Sequence, residues 1–376
     1  MQDIKQTLRI LAIHFLSPSI NEEEALHTGL ELESLVKTLG ATVVDRILEK
    51  HFKPENATYI GKITLRQAGR RIKREKIDVV VLNTMLKPRQ LHAIKLELAA
   101  ENQHIEIWDR VDLILQIFDK HATTTEAKLQ IKLARMRYMG PRIYGMGQVL
   151  SRQGGGIGTS GVGETNTELM KRHWRSEIKN ITDELEKIDK SRLQQLENRK
   201  RTGFKTVSLV GYTNAGKTSL FNLLTGKKHL VEDVLFATLD SSIGKMYIHE
   251  LQTEILLTDT IGFIRNLPPT LITAFKSTLM ESLHADILLH VIDISDPEME
   301  TKISVVNDIL AQLGRNTHDL MYVFTKTDTN PLTEKQKLIE KYKKYFPICI
   351  SVKTGEGIED LKKSISDAYL RMLPYK

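Results

Sequence analysis

The residues best suited to chemistry in this chain form the loop Gly211–Ser219, which reads GYTNAGKTS. The apolar residues Val207, Leu209 and Val210 precede the loop, and a helix-like run, Ser219–Leu224, follows it. A strand, a GxxxxGK(S/T) sequence and a helix in this order are the context in which a loop wraps the phosphate groups of a nucleotide. The sequence therefore predicts a phosphate-binding loop at this point.

Four positions of this loop have a defined physical role. Gly211 and Gly216 allow the backbone to turn tightly and to direct its N–H groups at a polyphosphate. The N-terminus of the following helix adds partial positive charge. Lys217 supplies a full charge to the β- and γ-phosphates, and the hydroxyl of Thr218 is a ligand for Mg²⁺.

The composition is typical of a soluble globular protein. The chain has 376 residues, of which 41% are hydrophobic and 27% are charged, and this length accommodates two or three domains with full cores. The formal net charge of +7 suits a polyanionic partner.

Other features exclude several classes of protein. The single cysteine, Cys349, excludes a disulfide framework and indicates a reducing compartment, so we expect a cytoplasmic protein. No apolar run reaches membrane-spanning length, and the run 8–16 lacks the cleavage site of a signal peptide. The twelve histidines are scattered without metal-ligand spacing. We expect a monomer.

Within the predicted domain 1–121, residues 8–121 alternate apolar runs with runs of helical periodicity. The predicted strands are Ile10–Phe15, Thr42–Ile47, Asp78–Leu82 and His104–Trp108. The predicted helices are Glu22–Leu39, Leu65–Lys76, Pro88–Ala99 and Leu113–Lys120. This alternation predicts a small parallel sheet covered by helices.

One of these helices lies in a strongly basic segment. Residues 62–76 contain seven Lys or Arg residues, with only Glu75 opposing them. Such a segment is either a solvated helix face or a surface that faces nucleic acid, and the pattern favours neither.

Residues 122–200 predict two helices with a glycine-rich loop between them. The first helix covers 123–139, and the second covers 164–199. The second carries an apolar stripe at Ile178, Ile181, Leu185 and Ile188, the spacing of a coiled-coil seam. The segment 140–163 contains nine glycines and few apolar residues, so we expect a long loop and an αα-hairpin overall.

Residues 204–376 form the third predicted segment, an α/β unit that contains the phosphate-binding loop. Thr238 lies in a loop after it, where a switch threonine ligates Mg²⁺ and senses the γ-phosphate. The predicted strand Ile255–Leu257 leads to Asp259, which holds Mg²⁺ through water, and to Gly262, whose N–H faces the γ-phosphate.

A later motif selects the base. The run Thr325–Asp328 follows a predicted strand, and the Asp328 carboxylate can accept both N1–H and N2–H of guanine, which adenine cannot offer. Lys326 would lie along the base, and the backbone of Ser351–Lys353 would meet the guanine O6. Four ordered motifs predict a GTPase.

The candidate site residues follow from these motifs. The predicted catalytic residues are Lys217, Thr218, Thr238, Asp259 and Gly262, and the predicted metal ligands are Thr218 and Thr238. The predicted nucleotide-binding residues are Gly211, Tyr212, Thr213, Asn214, Ala215, Gly216, Lys217, Thr218, Ser219, Phe236, Ala237, Thr238, Leu239, Asp240, Asp259, Thr260, Ile261, Gly262, Thr325, Lys326, Thr327, Asp328, Ser351, Val352 and Lys353.

Three positions qualify this mechanism. Phe263 stands where Ras-like enzymes carry the glutamine that orients the attacking water, so we expect slow intrinsic turnover and stimulation by a partner; loop packing is the alternative role for this ring. Thr325 replaces the usual asparagine and is shorter, which predicts weaker guanine binding. Asn214 either helps to bind K⁺ or only forms a turn.

The chain resembles the HflX family, translational GTPases of the Obg–HflX group, over nearly its whole length. The motifs that carry the resemblance are Tyr59–Lys62, Asp109–Arg110, Ile114–Phe118, Glu126–Gln130, Ser151–Thr159, Gly163–Thr165, Asp259–Pro268 and Ala274–Thr278. Two departures from the family are Thr159–Glu164, which lacks the usual arginine of the glycine loop, and Ser241-Ser242 in place of Pro-Thr.

The resemblance implies a fold and a function. It implies an N-terminal α/β subdomain (1–121), a helical hairpin with a glycine-rich loop (122–200) and a Ras-like P-loop GTPase domain (204–376). The implied partners are the rRNA and proteins of the large ribosomal subunit or the whole ribosome. The implied function is GTP-dependent splitting of stalled or idle ribosomes under stress; the alternatives are a large-subunit assembly factor and RNA remodelling by an N-terminal ATPase.

Overall fold

A computed structural model describes residues 7–18, 22–153, 166–229, 235–236, 241–268, 271–272, 279, 283–316, 320–329 and 332–372. The chain divides into two compact units. The first comprises 1–120 and 128–184, and the second comprises 121–127 and 185–376. Within the described ranges, no helix has both the length and the apolar character needed to cross a membrane.

The first unit is built on a four-stranded parallel sheet in the order β2-β1-β3-β4. Its strands are β1 Arg9–Leu16, β2 Thr42–Lys50, β3 Val79–Leu82 and β4 Glu106–Asp109. Its helices are α1 Glu22–Leu39, α2 Lys62–Glu75, α3 Pro88–Ala99 and α4 Arg110–His121. The predicted parallel α/β fold is confirmed. Helix α4 begins three residues earlier than the periodicity indicated, because the Asp109 carboxylate accepts hydrogen bonds from the N–H groups of Val111 and Asp112.

The two faces of strand β1 have different surroundings. Leu11 and Ile13 belong to the core cluster that includes residues of α2 and α3. Because successive side chains of a strand point to opposite faces, His14 and Leu16 lie on the other face, where they line a cavity beside α1.

The second unit is built on a six-stranded sheet in the order β10-β9-β8-β5-β7-β6, in which only β6 runs antiparallel. The strands are β5 Thr206–Gly211, β6 Ser242–Ile248, β7 Thr253–Asp259, β8 Ile287–Asp293, β9 Leu320–Thr325 and β10 Ile348–Cys349. The described α-helices of this sheet are α7 Lys217–Thr225, α8 Met299–Gln312, α9 Leu332–Lys341 and α10 Ile358–Met372. The carboxyl ends of its parallel strands meet at one edge, where open α/β sheets bind their ligands.

Two long antiparallel helices form the predicted hairpin, α5 Thr125–Gln153 and α6 Asn166–Arg201. In the first unit, Lys132 pairs with Glu177 and the Trp174 indole donates to the Met136 carbonyl. In the predicted apolar stripe, Ile181 and Leu185 are buried, and Ile178 and Ile188 are half-buried.

The prediction of a loop from residue 140 is wrong up to residue 153, because α5 continues to Gln153. The sequence keeps apolar residues at helical spacing through this stretch, at Ile143, Met146 and Leu150. Each interior glycine costs a helix only about 1 kcal/mol, which such a pattern can offset. The rest of the predicted loop, 154–163, lies outside the described residues.

A buried ion-pair network fixes α5 to the sheet of the first unit. The Asp109 carboxylate at the end of β4 accepts hydrogen bonds from Arg142 (2.5 Å), from the Tyr138 hydroxyl and from the Leu86 N–H. Arg142 also donates to Asp112 at 2.8 Å. Asp109 is fully buried and Arg142 is 5% exposed. The network therefore sets where the hairpin leaves the sheet.

Removing the guanidinium should leave the Asp109 charge buried with less compensation. We expect Arg142→Leu to lower the free energy of unfolding of the first unit by about 3 kcal/mol. Hydrogen exchange should quicken at the Leu86, Val111 and Asp112 amides, all three of which donate to the Asp109 carboxylate.

The matched control is Arg135→Leu on the same helix, because the Arg135–Asp119 pair is solvent-accessible and 3.6 Å long. An exposed pair contributes at most about 1 kcal/mol, so this variant should exchange like the parent. Equal protection in both variants would contradict the anchoring role of Arg142.

Candidate nucleotide site

The phosphate-binding loop leaves the sheet where two strands meet closely. A Cβ on Gly211 would lie 2.4 Å from the Val291 carbonyl oxygen of β8, so only glycine allows this approach. Gly216 has φ of 92°, in the left-handed region, and is the N-cap residue of α7. Asn214 lies between them at φ 63° and is exposed, and Ala215 is buried. The left-handed conformation is one that asparagine tolerates well, which accords with a turn-forming role.

The Lys217 ammonium is buried beneath this loop. Its Nζ donates to the carbonyls of Tyr212 (2.8 Å) and Gly211 (3.2 Å). Burial lowers the pKa of Lys217 to about 8, although the nearby Asp259 charge opposes the shift. The loop carbonyls thus hold the ammonium where phosphate oxygens would replace them as acceptors.

A hydroxyl and a carboxylate lie side by side at the end of the next strand. Asp259 closes β7, which pairs with β5, and its Oδ2 accepts a hydrogen bond from the Thr218 hydroxyl at 2.8 Å. Thr260 donates to the Leu209 carbonyl at 2.7 Å and so fixes the segment after β7. Hard oxygen donors that leave room for phosphate oxygens and water fit Mg²⁺. Such an ion would neutralise charge on the β- and γ-phosphates.

The segment after Asp259 is joined to the phosphate-binding loop by backbone hydrogen bonds. Phe263 N–H donates to Gly211 O at 3.1 Å, and Thr213 N–H donates to Phe263 O at 2.8 Å. A Cβ on Gly262 would lie 2.8 Å from the Thr213 Cα, so this glycine permits the contact. Phe263 is 1% exposed, and Ile261, two residues earlier in the sequence, is also buried. Phe263 therefore packs the site and carries no group that could orient water.

Sequence reasoning missed a support around Tyr212. The Tyr212 hydroxyl accepts from the Arg265 N–H at 2.8 Å, and the Arg265 guanidinium pairs with Glu298 at 2.5 Å. The Lys302 ammonium lies 4.9 Å from the centre of the Tyr212 ring. Arg265 lies within the Asp259–Pro268 motif, but Glu298 and Lys302 lie at the start of α8, outside every motif and distant in the sequence.

The guanine motif is tied to the phosphate-binding loop by a short side chain. The Thr325 hydroxyl lies 2.8 Å from the Ala215 carbonyl and 3.1 Å from the Ile292 carbonyl, and it is 1% exposed. A threonine therefore spans the gap for which a longer asparagine was expected. Weaker guanine binding stays a prediction.

The carboxylate of Asp328, the residue proposed to bind guanine, is kept in its ionised form. The Ser351 hydroxyl donates to Asp328 at 2.8 Å and lowers the pKa of Asp328. Lys326 pairs with Asp293 at 2.6 Å, and the buried Thr327 donates its N–H to Ile350 O. The sequence indicated only the backbone of Ser351, so its hydroxyl is an additional functional group. Val352 and Lys353 follow it at the same sheet edge, half-buried and exposed respectively.

The remaining predicted residues are distributed as follows. Ser219 is half-buried in the first turn of α7. Phe236 is 2% exposed, with φ of 58°. Ala237, Thr238, Leu239 and Asp240 lie outside the described residues, so the second predicted Mg²⁺ ligand stays a prediction.

Three family models match consecutive parts of the chain. They describe a GTP-binding GTPase N-terminal region (27–119), a GTP-binding GTPase middle region (121–199) and a 50S ribosome-binding GTPase (206–326). A solved structure described as an SsGBP and GDP complex is 29% identical, with a TM-score of 0.53, and covers 97% of this chain and 99% of its own. Fold and site thus define a P-loop GTPase, an enzyme that hydrolyses GTP.

Curated relatives fix the family. GTPase HflX of Caldanaerobacter subterraneus is 43% identical over 92% of this chain and 77% of its own length. GTPase HflX of Alkalihalophilus pseudofirmus is 37% identical over 100% of this chain and 87% of its own. The Escherichia coli HflX is 36% identical over 90% and 78%. The chain belongs to the HflX family of GTPases.

The role of Asp328 in guanine binding can be tested by replacing one carboxylate oxygen, an acceptor, with an amide NH₂ group, a donor. We expect Asp328→Asn to weaken GDP binding roughly a hundredfold, because the amide cannot accept from both guanine N–H groups. It should gain affinity for xanthosine diphosphate, whose O2 accepts a hydrogen bond. Titration with fluorescent nucleotides measures both constants.

Ser351→Ala provides a graded control, since it removes one hydrogen bond to Asp328 and keeps the carboxylate. It should weaken GDP binding only about tenfold, with no gain for xanthosine diphosphate. Unchanged GDP affinity in Asp328→Asn would show that another residue reads the base.

Proposed function

We propose that this GTPase binds the large ribosomal subunit and the whole ribosome, and uses GTP to split stalled or idle ribosomes under stress. The rRNA and proteins of the large subunit are the proposed contacts. The match of 206–326 to the model described as a 50S ribosome-binding GTPase supports the partner. Assembly of precursor large subunits and RNA remodelling by an N-terminal ATPase are the alternatives.

The observation that carries the proposal is the outer surface of α2 and its C-cap, which we name the α2 cation face. It consists of five exposed residues without an ion-pair partner among the residues that the structure describes: Lys62, Arg66, Arg70, Lys73 and Lys76. The other two cations, Arg71 and Arg74, pair with Asp45. Uncompensated cations along one helix repel one another, and a polyanion relieves this repulsion. This favours the nucleic-acid alternative for the basic segment.

Exposed apolar side chains in α2 and in the connection before it suit RNA as the polyanion. Phe52, in the connection between β2 and α2, is 82% exposed, and Ile63 in the first turn of α2 is 69% exposed. Exposed aromatic rings stack on unpaired bases, so cations and a ring together form a surface for single-stranded or looped RNA.

The hairpin gives the protein reach. Helix α5 has 29 residues and α6 has 36, which correspond to about 44 Å and about 54 Å of helix. Helices of this length are long enough to reach deep into a large particle. We propose that the N-terminal segment 1–121 contacts rRNA and disturbs contacts between subunits.

The catalytic site would need its partner. The buried Phe263 leaves no side chain to orient water at that position, so we propose that the ribosome completes the site. We propose Mg²⁺ on Thr218 and Thr238, and K⁺ near Asn214, with turn formation alone as the alternative role for Asn214. We further propose a cytoplasmic monomer with functional segments 1–121, 122–200 and 204–376.

Ribosome splitting can be measured by light scattering of intact ribosomes after addition of protein and GTP. We expect the signal to fall with GTP and not with GDP. Replacing Arg66, Arg70 and Lys73 by Gln should slow splitting and reduce the slope of log affinity against log salt by up to about three, because each lost phosphate contact removes about one counterion.

The control replaces Lys228, Lys337 and Lys363 by Gln, three exposed lysines of the second unit that make the same change in net charge. It should split ribosomes like the parent. No GTP-dependent loss of intact ribosomes would overturn splitting, and binding only to precursor subunits would favour assembly. ATPase activity of the full chain that survives Lys217→Ala would favour the N-terminal ATPase.

A further inference from the structure

A cavity of about 280 Å³ lies in the first unit between α1 and the carboxyl ends of β1 and β2. Its walls are mostly apolar, formed by Leu16, Leu26, Leu30 and Leu48. Three of these leucines are 47–60% exposed on the folded unit, so apolar surface is left in contact with water here. Small-molecule sites have this make-up, with apolar walls and a few polar groups, and they recur at the carboxyl ends of parallel strands.

A buried donor forms part of this cavity. His14 is 2% exposed, and its Nδ1 lies 3.3 Å from the Asn83 amide nitrogen. Because that amide donates, the Nδ1 of His14 accepts, and the proton of the neutral ring is on Nε2. Burial, with help from Arg46 and Arg110, lowers the pKa of His14 to about 4, so the ring is neutral at physiological pH.

The Nε2–H of this ring has no hydrogen-bond partner within the described ranges. A buried donor that lacks an acceptor destabilises the fold, and a ligand that supplies the acceptor recovers that free energy. The neighbouring Asn83 is itself held by the Arg110 guanidinium at 2.8 Å, so the ring cannot turn away without breaking this chain of hydrogen bonds. Because His14 lines the cavity, a ligand bound there is the group that could supply the missing acceptor.

The charges around the cavity favour an anion. Two cationic residues, Arg46 and Lys50, line the cavity, and one carboxylate, Glu33, also lines it. Glu33 pairs with Arg46 at 2.8 Å. The local balance is thus one positive charge. Lys50 is exposed and has no ion-pair partner in the part of the chain that the structure describes.

We propose that this cavity binds a small carboxylate with an apolar body, such as an aromatic or branched aliphatic acid. The carboxylate accepts from His14 Nε2–H on the strand side, near the positive charge of Arg46, and the body contacts the leucine walls. An apolar cavity of about 150 Å³ can bind benzene, so this cavity has room for an aromatic ring that carries a carboxylate. This site is separate from the GTP site of the second unit.

The test uses the full chain and sodium benzoate, with saturation-transfer NMR for binding and the His14 ring resonances for location. We expect a Kd below about 1 mM, weaker binding of benzamide and none of benzylamine. Gly29→Leu should weaken benzoate binding at least about tenfold, because Gly29 lines the cavity and a Cβ there would lie 4.0 Å from His14 Cε1.

This variant is expected to fold, since Gly29 lies inside α1 without a strained φ and leucine is a better helix former. The matched control is Lys37→Leu, at an exposed position of the same helix outside the cavity, which should bind benzoate like the parent. Equal affinity in Gly29→Leu and the control, or no benzoate binding up to about 20 mM, would overturn the site. Equal binding of benzamide and benzoate would overturn the carboxylate class.

Discussion

The close approach of the phosphate-binding loop to its neighbours is the constraint on which the GTP site depends. At Gly211 the backbone of β5 meets the Val291 carbonyl of β8, and at Gly262 the segment after β7 meets Thr213. Any side chain at either position would push the elements apart. Because both contacts hold, the Lys217 ammonium, the Thr218 hydroxyl and the Asp259 carboxylate converge at the carboxyl edge of the sheet.

The first unit depends on a buried charge in a similar way. Asp109 ends β4, caps α4 and binds Arg142 of α5, so one carboxylate joins the sheet, the next helix and the hairpin. A buried ion pair adds little net stability, but it fixes geometry because any other arrangement leaves a charge unpaired. The pair thus fixes where α5 leaves the sheet.

Much of the fold could be predicted from the sequence, since buried parallel strands are apolar runs and the phosphate-binding loop is a local motif. The helix through 140–153 forms despite its glycines, because Ile143, Met146 and Leu150 keep the apolar spacing of a helix, and a glycine count alone does not show this. The Asp109–Arg142 pair and the Tyr212–Arg265 contact could not be found, since each joins residues more than thirty positions apart. The hydrogen bond from the Thr325 hydroxyl to the Ala215 carbonyl could not be predicted either, because it depends on how closely the two backbone segments approach each other in the fold.

The central claim is that a ribosomal particle completes a GTPase site whose water-orienting position holds a buried phenylalanine. The most direct measurement is GTP turnover in K⁺, with and without purified large ribosomal subunits. The account predicts a rise of at least about tenfold with subunits, and no rise in Lys217→Ala. Turnover that is equally fast without subunits would contradict it.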